Sequence, residues 1–133
     1  MKTIRLMMLA LTCASLCCVA FAEDLDSMPP VVVKTSPEAG ARDVAAGMVE
    51  IRVTFSKKMQ DKSWSWTSAW QGSTPEGIGA PRYENDGKTC VMKVKLEPGK
   101  TYGYWINSEK FRNFKDAQGK PSVPYLLAFE TKK

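Results

Sequence analysis

In the C-terminal half of the chain, one heptapeptide reads Leu96-Glu97-Pro98-Gly99-Lys100-Thr101-Tyr102. Apolar and polar residues alternate before it, over residues 90–96, and again after it, over residues 102–107. Period-two alternation interrupted by Pro-Gly predicts a strand, a tight corner and a second strand. Pro98 has a fixed φ, and Gly99 tolerates the positive φ that a type II turn needs at its third position. Tyr102 then stands where a tyrosine corner of a β-sandwich places its ring inward and bonds its hydroxyl to upstream backbone.

The first 22 residues have the features of a secretory signal peptide. Lys2 and Arg5 precede an apolar run over residues 6–21, which closes on the small-x-small cleavage signal Ala20-Phe21-Ala22. The run is shorter than the ~20 residues that a membrane-spanning helix needs, and its cysteines lack the preceding residues of a lipoprotein signal. We predict cleavage after Ala22 and export to the periplasm, the extracellular medium or the cell surface. Residues 23–30 are then a short leader, and residues 31–133 form one domain.

Charge and cysteine content limit the kinds of partner and of stabilisation. Without the signal, 17 basic and 14 acidic residues remain, a net charge of +3, and no five like charges are consecutive. This pattern favours a solvated surface over a nucleic-acid footprint. The mature chain keeps only Cys90, which predicts a core residue and no internal disulfide. No second long apolar run follows, so no membrane span is expected in the mature chain.

The mature chain predicts an all-β fold of about seven short strands in two stacked antiparallel sheets. The clearest strand covers residues 49–55, the last strand begins near residue 125, and Asn85-Asp86-Gly87 is a hairpin turn signal. Residues 71–81 are predicted to be a loop, and residues 108–124 show no periodicity. The residues predicted to point inward are Val49, Ile51, Val53, Phe55, Met92, Val94, Leu96, Tyr102, Tyr104, Ile106, Leu127 and Phe129.

Five short motifs in order resemble the bacterial Ig-like domain first described in surface-layer proteins. They are Thr35–Ala41, Val53–Met59, Leu96–Tyr102, Asp116–Lys120, in which Lys120 replaces the usual Asn, and Ala128–Thr131. The resemblance spans residues 31–131 and implies an Ig-like antiparallel β-sandwich, usually a structural or protein-binding module in cell-surface arrays. The resemblance implies no catalytic residues in this chain. The residues with predicted structural roles are Leu96, Pro98, Gly99, Tyr102, Phe55 and Phe129.

The residue types give little support for a metal site or for an enzyme active site. The chain has no His, which removes most nucleophile–His systems and the commonest zinc ligands. We therefore predict no enzyme, no cofactor and no metal. Asp116 is interpreted as a hydrogen-bonding turn residue, although it could share a calcium ion with Asn113 and Gln118.

A second resemblance leaves one metal alternative open. The first half of the chain is similar to periplasmic copper-binding Ig-like proteins in its Ser-Pro-x-x-Gly opening at residues 36–40 and in Phe55-Ser56. Those proteins use His and Met ligands. Here only methionines remain, so a copper carrier would depend on thioethers that hold Cu(I). The methionines of the mature chain are Met28, Met48, Met59 and Met92, the last of which is expected to be buried.

Four tryptophans are the one unusual feature of the composition. If Trp64 and Trp66 share a strand, they share a face, and the small hydroxyl residues around them favour that face pointing inward. Trp70 and Trp105 are then the candidates for a surface contact, since Trp105 is out of phase with the inward Tyr104. Exposed Trp suits stacking on sugars or on a partner protein. The expected partner is therefore an envelope or extracellular protein, or a polysaccharide if the chain is a carbohydrate-binding accessory domain. The alternative is that all four tryptophans pack in the core or beneath the loop over residues 108–124.

Overall fold

The computed structural model, which describes residues 17–18 and 23–133, consists of two antiparallel β-sheets that enclose one core. The strands are β1 Val32–Ser36, β2 Gly47–Phe55, β3 Trp66–Ser68, β4 Glu76–Gly77, β5 Arg82–Tyr83, β6 Thr89–Leu96, β7 Thr101–Ile106 and β8 Tyr125–Glu130. The prediction of an all-β Ig-like sandwich is confirmed. The predicted signal peptide lies outside the described residues, apart from Cys17 and Cys18.

The larger sheet has the order β1-β2-β6-β4, with β5 also paired to β6, and the smaller sheet has the order β3-β7-β8. The count is eight rather than about seven because the predicted loop over residues 71–81 contains β4, which pairs with β6 at Lys95 and Val94. The prediction of a continuous loop there was wrong. A two-residue edge strand is too short to produce a visible alternation.

The corner between β6 and β7 has the geometry that its residues indicate. The Glu97 backbone N–H donates to the Tyr102 hydroxyl at 2.8 Å, and the Tyr102 ring is buried against Phe129. Gly99 adopts a φ of +64°, a conformation that costs little without a side chain. The corner therefore sets how the chain leaves the larger sheet at the end of β6 and enters the smaller sheet as β7.

The core contains most of the residues predicted to point inward, together with Met59, and four further residues differ from the prediction. Val49 and Met92 face the core but are only half-buried, so the expectation that Met92 is buried was wrong. Val91 points away from the core yet is fully buried, because the long side chains of its cross-strand neighbours Arg52 and Arg82 lie on that face. Phe114, from the segment without periodicity, is also fully buried.

Phe114 explains how the long loop over residues 108–124 is held. Its ring lies 5.1 Å from that of Phe55 and 5.6 Å from that of Trp66, with centroids as the reference points. The loop thus closes one end of the sandwich by inserting an aromatic side chain between the sheets. Among the described residues, no helix is long and apolar enough to cross a membrane.

Candidate functional site

The outer face of the smaller sheet carries aromatic and aliphatic side chains. Thr67, Trp105 and Leu126 are cross-strand neighbours on β3, β7 and β8. Leu126 is 43% exposed and Trp105 is half-buried, while Trp70 beside the sheet is 44% exposed. We call Thr67, Trp70, Trp105 and Leu126 the aromatic face. It brings together the two tryptophans that the sequence singled out for a surface contact.

Trp70 reaches this face by lying over Gly103 of β7. A Cβ built on Gly103 would come within 2.6 Å of the Trp70 Cη2 atom and closer still to Cζ3. Gly103 and Trp105 are two residues apart on one strand, so their outward directions are the same. Trp70 therefore stands above β7 next to Trp105, and the indole covers a strand position that has no side chain.

Ser73 fixes the loop that carries Trp70. Its fully buried hydroxyl accepts from the backbone N–H groups of Ala69 and Trp70 at 3.0 and 3.2 Å. The same hydroxyl donates to the Gly103 carbonyl at 2.7 Å, and the Gly103 N–H donates to the Ser73 carbonyl at 2.9 Å. The loop is thereby bonded to the strand under the indole, which restricts the position of Trp70.

A groove of about 430 Å³ opens beside Trp105. Its other lining residues are Ser108, Glu109, Lys110 and Pro124. Within the described part of the chain, no ion pair engages Glu109 or Lys110. The groove thus combines an indole with a hydroxyl, a carboxylate and an ammonium group that are not paired with one another.

Asn107 holds the wall of this groove. It is fully buried at a φ of +58°, and its side-chain amide donates to the carbonyls of Phe114 and Ser122 at 2.8 and 3.0 Å. Its side-chain oxygen accepts from the Phe114 N–H at 2.9 Å. At the rim, the Ser108 N–H bonds the Phe111 carbonyl at 2.9 Å. One buried amide therefore ties the end of β7 to the loop that flanks Trp105.

The outer face of the larger sheet is chemically different. Arg52 forms ion pairs with Glu50, at 2.7 Å, and with Glu84, and Arg82 lies 3.5 Å from Glu50. A hollow of about 360 Å³ on this face is lined by Lys34 and Arg52 among polar residues. Its arginine is already paired with acids. This face is a network of opposite charges, and it exposes no tryptophan.

Both carboxylate oxygens of Asp116 accept hydrogen bonds. One carboxylate oxygen accepts from the backbone N–H groups of Gln118 and Lys120 at 3.0 and 2.9 Å, and the other accepts from Lys57 Nζ at 2.8 Å. Burial opposes the charged form, but the bonds from Lys57 and from the two backbone groups outweigh it and lower the pKa of Asp116. The predicted turn role is therefore present. The Lys57 ammonium group occupies the position that a calcium ion bound to Asp116 would need.

The same ammonium contacts the segment before β1. Lys57 Nζ also donates to the backbone carbonyls of Asp26 and Met28, at 3.0 and 2.9 Å, and Lys120 Nζ donates to that of Ser27. Pro30 is buried. Residues 26–30, part of the leader predicted over residues 23–30, thus lie against the domain at the Asp116 end.

Trp64 and Trp66 do not share a strand, because β3 begins at Trp66, so the condition from which a common face was inferred is not met. Both are half-buried against the core, and Trp66 meets Tyr104 edge to face at 5.4 Å. Ser65 between them is not on a solvent face. It is buried, and its hydroxyl accepts from the Asn113 N–H at 3.0 Å. Trp66 is therefore the core tryptophan of the sandwich, and sequence alternation alone misplaced Ser65.

Cys90 is fully buried beneath the larger sheet, and burial raises the pKa of its thiol to about 12. Its cross-strand neighbour Tyr83 has a buried hydroxyl for which no protein hydrogen-bond partner is found in the described chain. The thiol is thus a core group with little thiolate at neutral pH.

The methionines lie on different elements. Met28 precedes β1, Met48 begins the outer face of β2, Met59 follows β2, and the Met92 thioether on β6 accepts from the Tyr104 hydroxyl at 3.6 Å. Among the described residues, no three His, Cys, Asp or Glu side chains group together as metal ligands.

Taken together, the two sheets, the tyrosine corner and the exposed face define an Ig-like β-sandwich module. The sequence model of the bacterial Ig-like domain matches residues 26–131, so the chain belongs to that family. Domains of this family are structural or binding modules that are generally not catalytic, and they are typically extracellular or surface-exposed. A comparison with curated proteins finds no match.

Proposed function

We propose that this chain is an exported, non-enzymatic Ig-like module that binds an envelope or extracellular partner through its aromatic face. The observation that carries the proposal is the contrast between the two outer faces. The larger sheet carries a network of ion pairs on its outer face, where the exposed apolar Met48 stands apart from any aromatic side chain, whereas the smaller sheet presents Trp70, Trp105 and Leu126 together. Exposed aromatic clusters of this kind are characteristic of contact surfaces.

The hydrogen bonds beneath the face also support binding. Ser73 and Asn107 hold the two segments that frame Trp70 and Trp105, so little conformational freedom is lost when a partner docks. Packing over Gly103 would account for Trp70 in a spacer as well, but it gives no role to Trp105 and Leu126 on the same face. A spacer role is the main alternative, and it predicts that the aromatic face stays open to solvent in the cell envelope.

Hydroxyl-radical footprinting on isolated cell envelopes tests the proposal. We expect Trp70, Trp105 and Leu126 to be protected when the protein is bound to envelopes. Met48, which is 54% exposed on the opposite sheet, is the internal control and should keep its reactivity. If envelopes retain no protein, or if protection falls on Met48 and not on the tryptophans, the proposed binding surface is wrong.

Export is tested separately, by the mass of the protein recovered from periplasmic, secreted and surface fractions. Cleavage after Ala22 gives a mature chain that begins at Glu23. A membrane-bound species that retains Lys2 and Arg5 would show that the N-terminal segment is an anchor. Copper binding gains no support from the positions of the methionines, and we do not propose it.

A further inference from the structure

We infer that the occupant of the aromatic face is a glycan chain, whose pyranose rings stack on Trp105 and Trp70. The inference rests on the proposed function, because it names the ligand class for the same surface. It is drawn from three observations: the placement of the two indoles, the polar groups around Trp105, and the rigidity of both segments.

The indoles are arranged in a row along β7. Trp70 lies above Gly103, and Trp105 projects from the next outward position of the same strand. Outward positions on a strand are roughly 7 Å apart, twice the rise per residue. Aromatic side chains at neighbouring outward positions are close enough for one oligosaccharide to contact both. A linear glycan that follows the strand can therefore contact both indoles.

The groove beside Trp105 supplies the hydrogen-bonding groups that a sugar requires. A pyranose ring offers an apolar C–H face to an indole and a rim of hydroxyls that both donate and accept. Glu109 is an acceptor and Lys110 is a donor, and the Ser108 hydroxyl, which already accepts from the Phe111 N–H at 3.1 Å, can still donate. An apolar side chain from a protein partner would fill the groove but leave these groups desolvated without partners, which is unfavourable.

Both walls are held in place without the ligand. Ser73 bonds the Trp70 loop to Gly103, and Asn107 bonds the groove loop to Phe114 and Ser122. Glycan binding depends on many weak contacts. A surface that does not have to be ordered first loses less free energy on binding.

The test is calorimetric titration of the mature protein with hexasaccharides of β-linked glucose, of N-acetylglucosamine and of galacturonic acid. These probes separate neutral, acetamido and acidic glycans. At least one of the three hexasaccharides should bind. Trp105→Ala should then lower the affinity for that hexasaccharide about tenfold or more. Glu109→Ala should weaken it several-fold. Because Glu109 is exposed, this variant should keep the urea midpoint of the parent, so the test stands even if Trp105→Ala folds poorly.

The matched control is Lys93→Ala, an exposed position on the opposite face of the sandwich, which should leave binding unchanged. The glycan inference is overturned if none of the three hexasaccharides binds, or if binding survives both Trp105→Ala and Glu109→Ala. Failure here and failure of the proposed function are distinguishable. If envelopes still protect Trp70 and Trp105 from radicals while no glycan binds, the face is a binding surface for a different class of partner.

Discussion

The six-membered ring of Trp70 occupies the space that a side chain would fill at Gly103. A Cβ at this glycine would meet Trp70 Cη2 at 2.6 Å and would lie 3.1 Å from the Ala69 Cβ. The backbone beneath is bonded in both directions to Ser73. An exposed indole covering a strand glycine is a recognised way to stabilise a sheet. Trp70 therefore has a structural role in addition to the contact proposed for it.

The first prediction follows from this packing. Gly103→Ala should lower the free energy of unfolding by about 1–3 kcal/mol, because the new methyl group forces the indole away from the strand. Urea unfolding measures the loss. Gly77→Ala is the control, since a Cβ at that strand position meets no atom within 4 Å. Adding Trp70→Ala should remove most of the penalty of Gly103→Ala; an equal penalty in both backgrounds would contradict the assigned contact.

The second prediction concerns the tyrosine corner. Tyr102→Phe removes the acceptor for the Glu97 N–H and should cost about 1–3 kcal/mol of stability. Tyr125→Phe is the control, because the half-buried Tyr125 makes no side-chain hydrogen bond to the described chain. Equal urea midpoints for both variants would show that the Glu97–Tyr102 bond contributes nothing.

The third prediction is a dependence of stability on acid pH. The pKa of Asp116 in the folded protein is held below its ordinary 3.8, since the bonds from Lys57 and two backbone N–H groups outweigh the opposing effect of burial. Its stabilising contribution is therefore complete above pH 3.8 and is lost as the pH falls through the folded-state pKa. Asp116→Asn should be less stable than the parent at pH 7, and the difference should shrink below pH 3.8.

Denaturant midpoints measured across this pH range provide the check. The exposed Asp86, whose pKa is lowered first by the backbone N–H of Lys88, also contributes to the acid transition, so Asp116→Asn should flatten the curve without abolishing it. Asp43→Asn is the control, because this exposed carboxylate makes no hydrogen bond within the described residues. A difference between parent and Asp116→Asn that stays constant with pH would refute the assignment.

The fourth prediction concerns the Cys90 thiol. Burial raises its pKa to about 12, so at pH 8 it should react with an aromatic disulfide reagent on the order of a thousandfold more slowly than an exposed thiol. Unfolding in urea should restore the normal rate. The comparison uses the mature chain, with Lys93→Cys in a Cys90→Ala background as the exposed reference on the same strand. Rapid reaction of native Cys90 would mean that β5 and β6 separate readily.

The amino-acid sequence by itself determined the strands that alternate, the corner at Pro98-Gly99 and the family. Those features depend on a period of two and on turn residues, and both are local properties of the chain. The inward positions of Ile51, Val94 and Leu127 follow from the same local pattern.

Only the tertiary structure decided where the irregular segments go. Phe114 enters the core, Ser73 bonds beneath Trp70, and Arg52 and Arg82 cover Val91. Each of these contacts joins residues that are distant in sequence and depends on how a loop or a neighbouring strand crosses the sheet. The aromatic face has the same origin. The sequence singled out Trp70 and Trp105, but their alignment along β7 exists because a loop 30 residues upstream folds back onto Gly103 through the Ser73 hydroxyl.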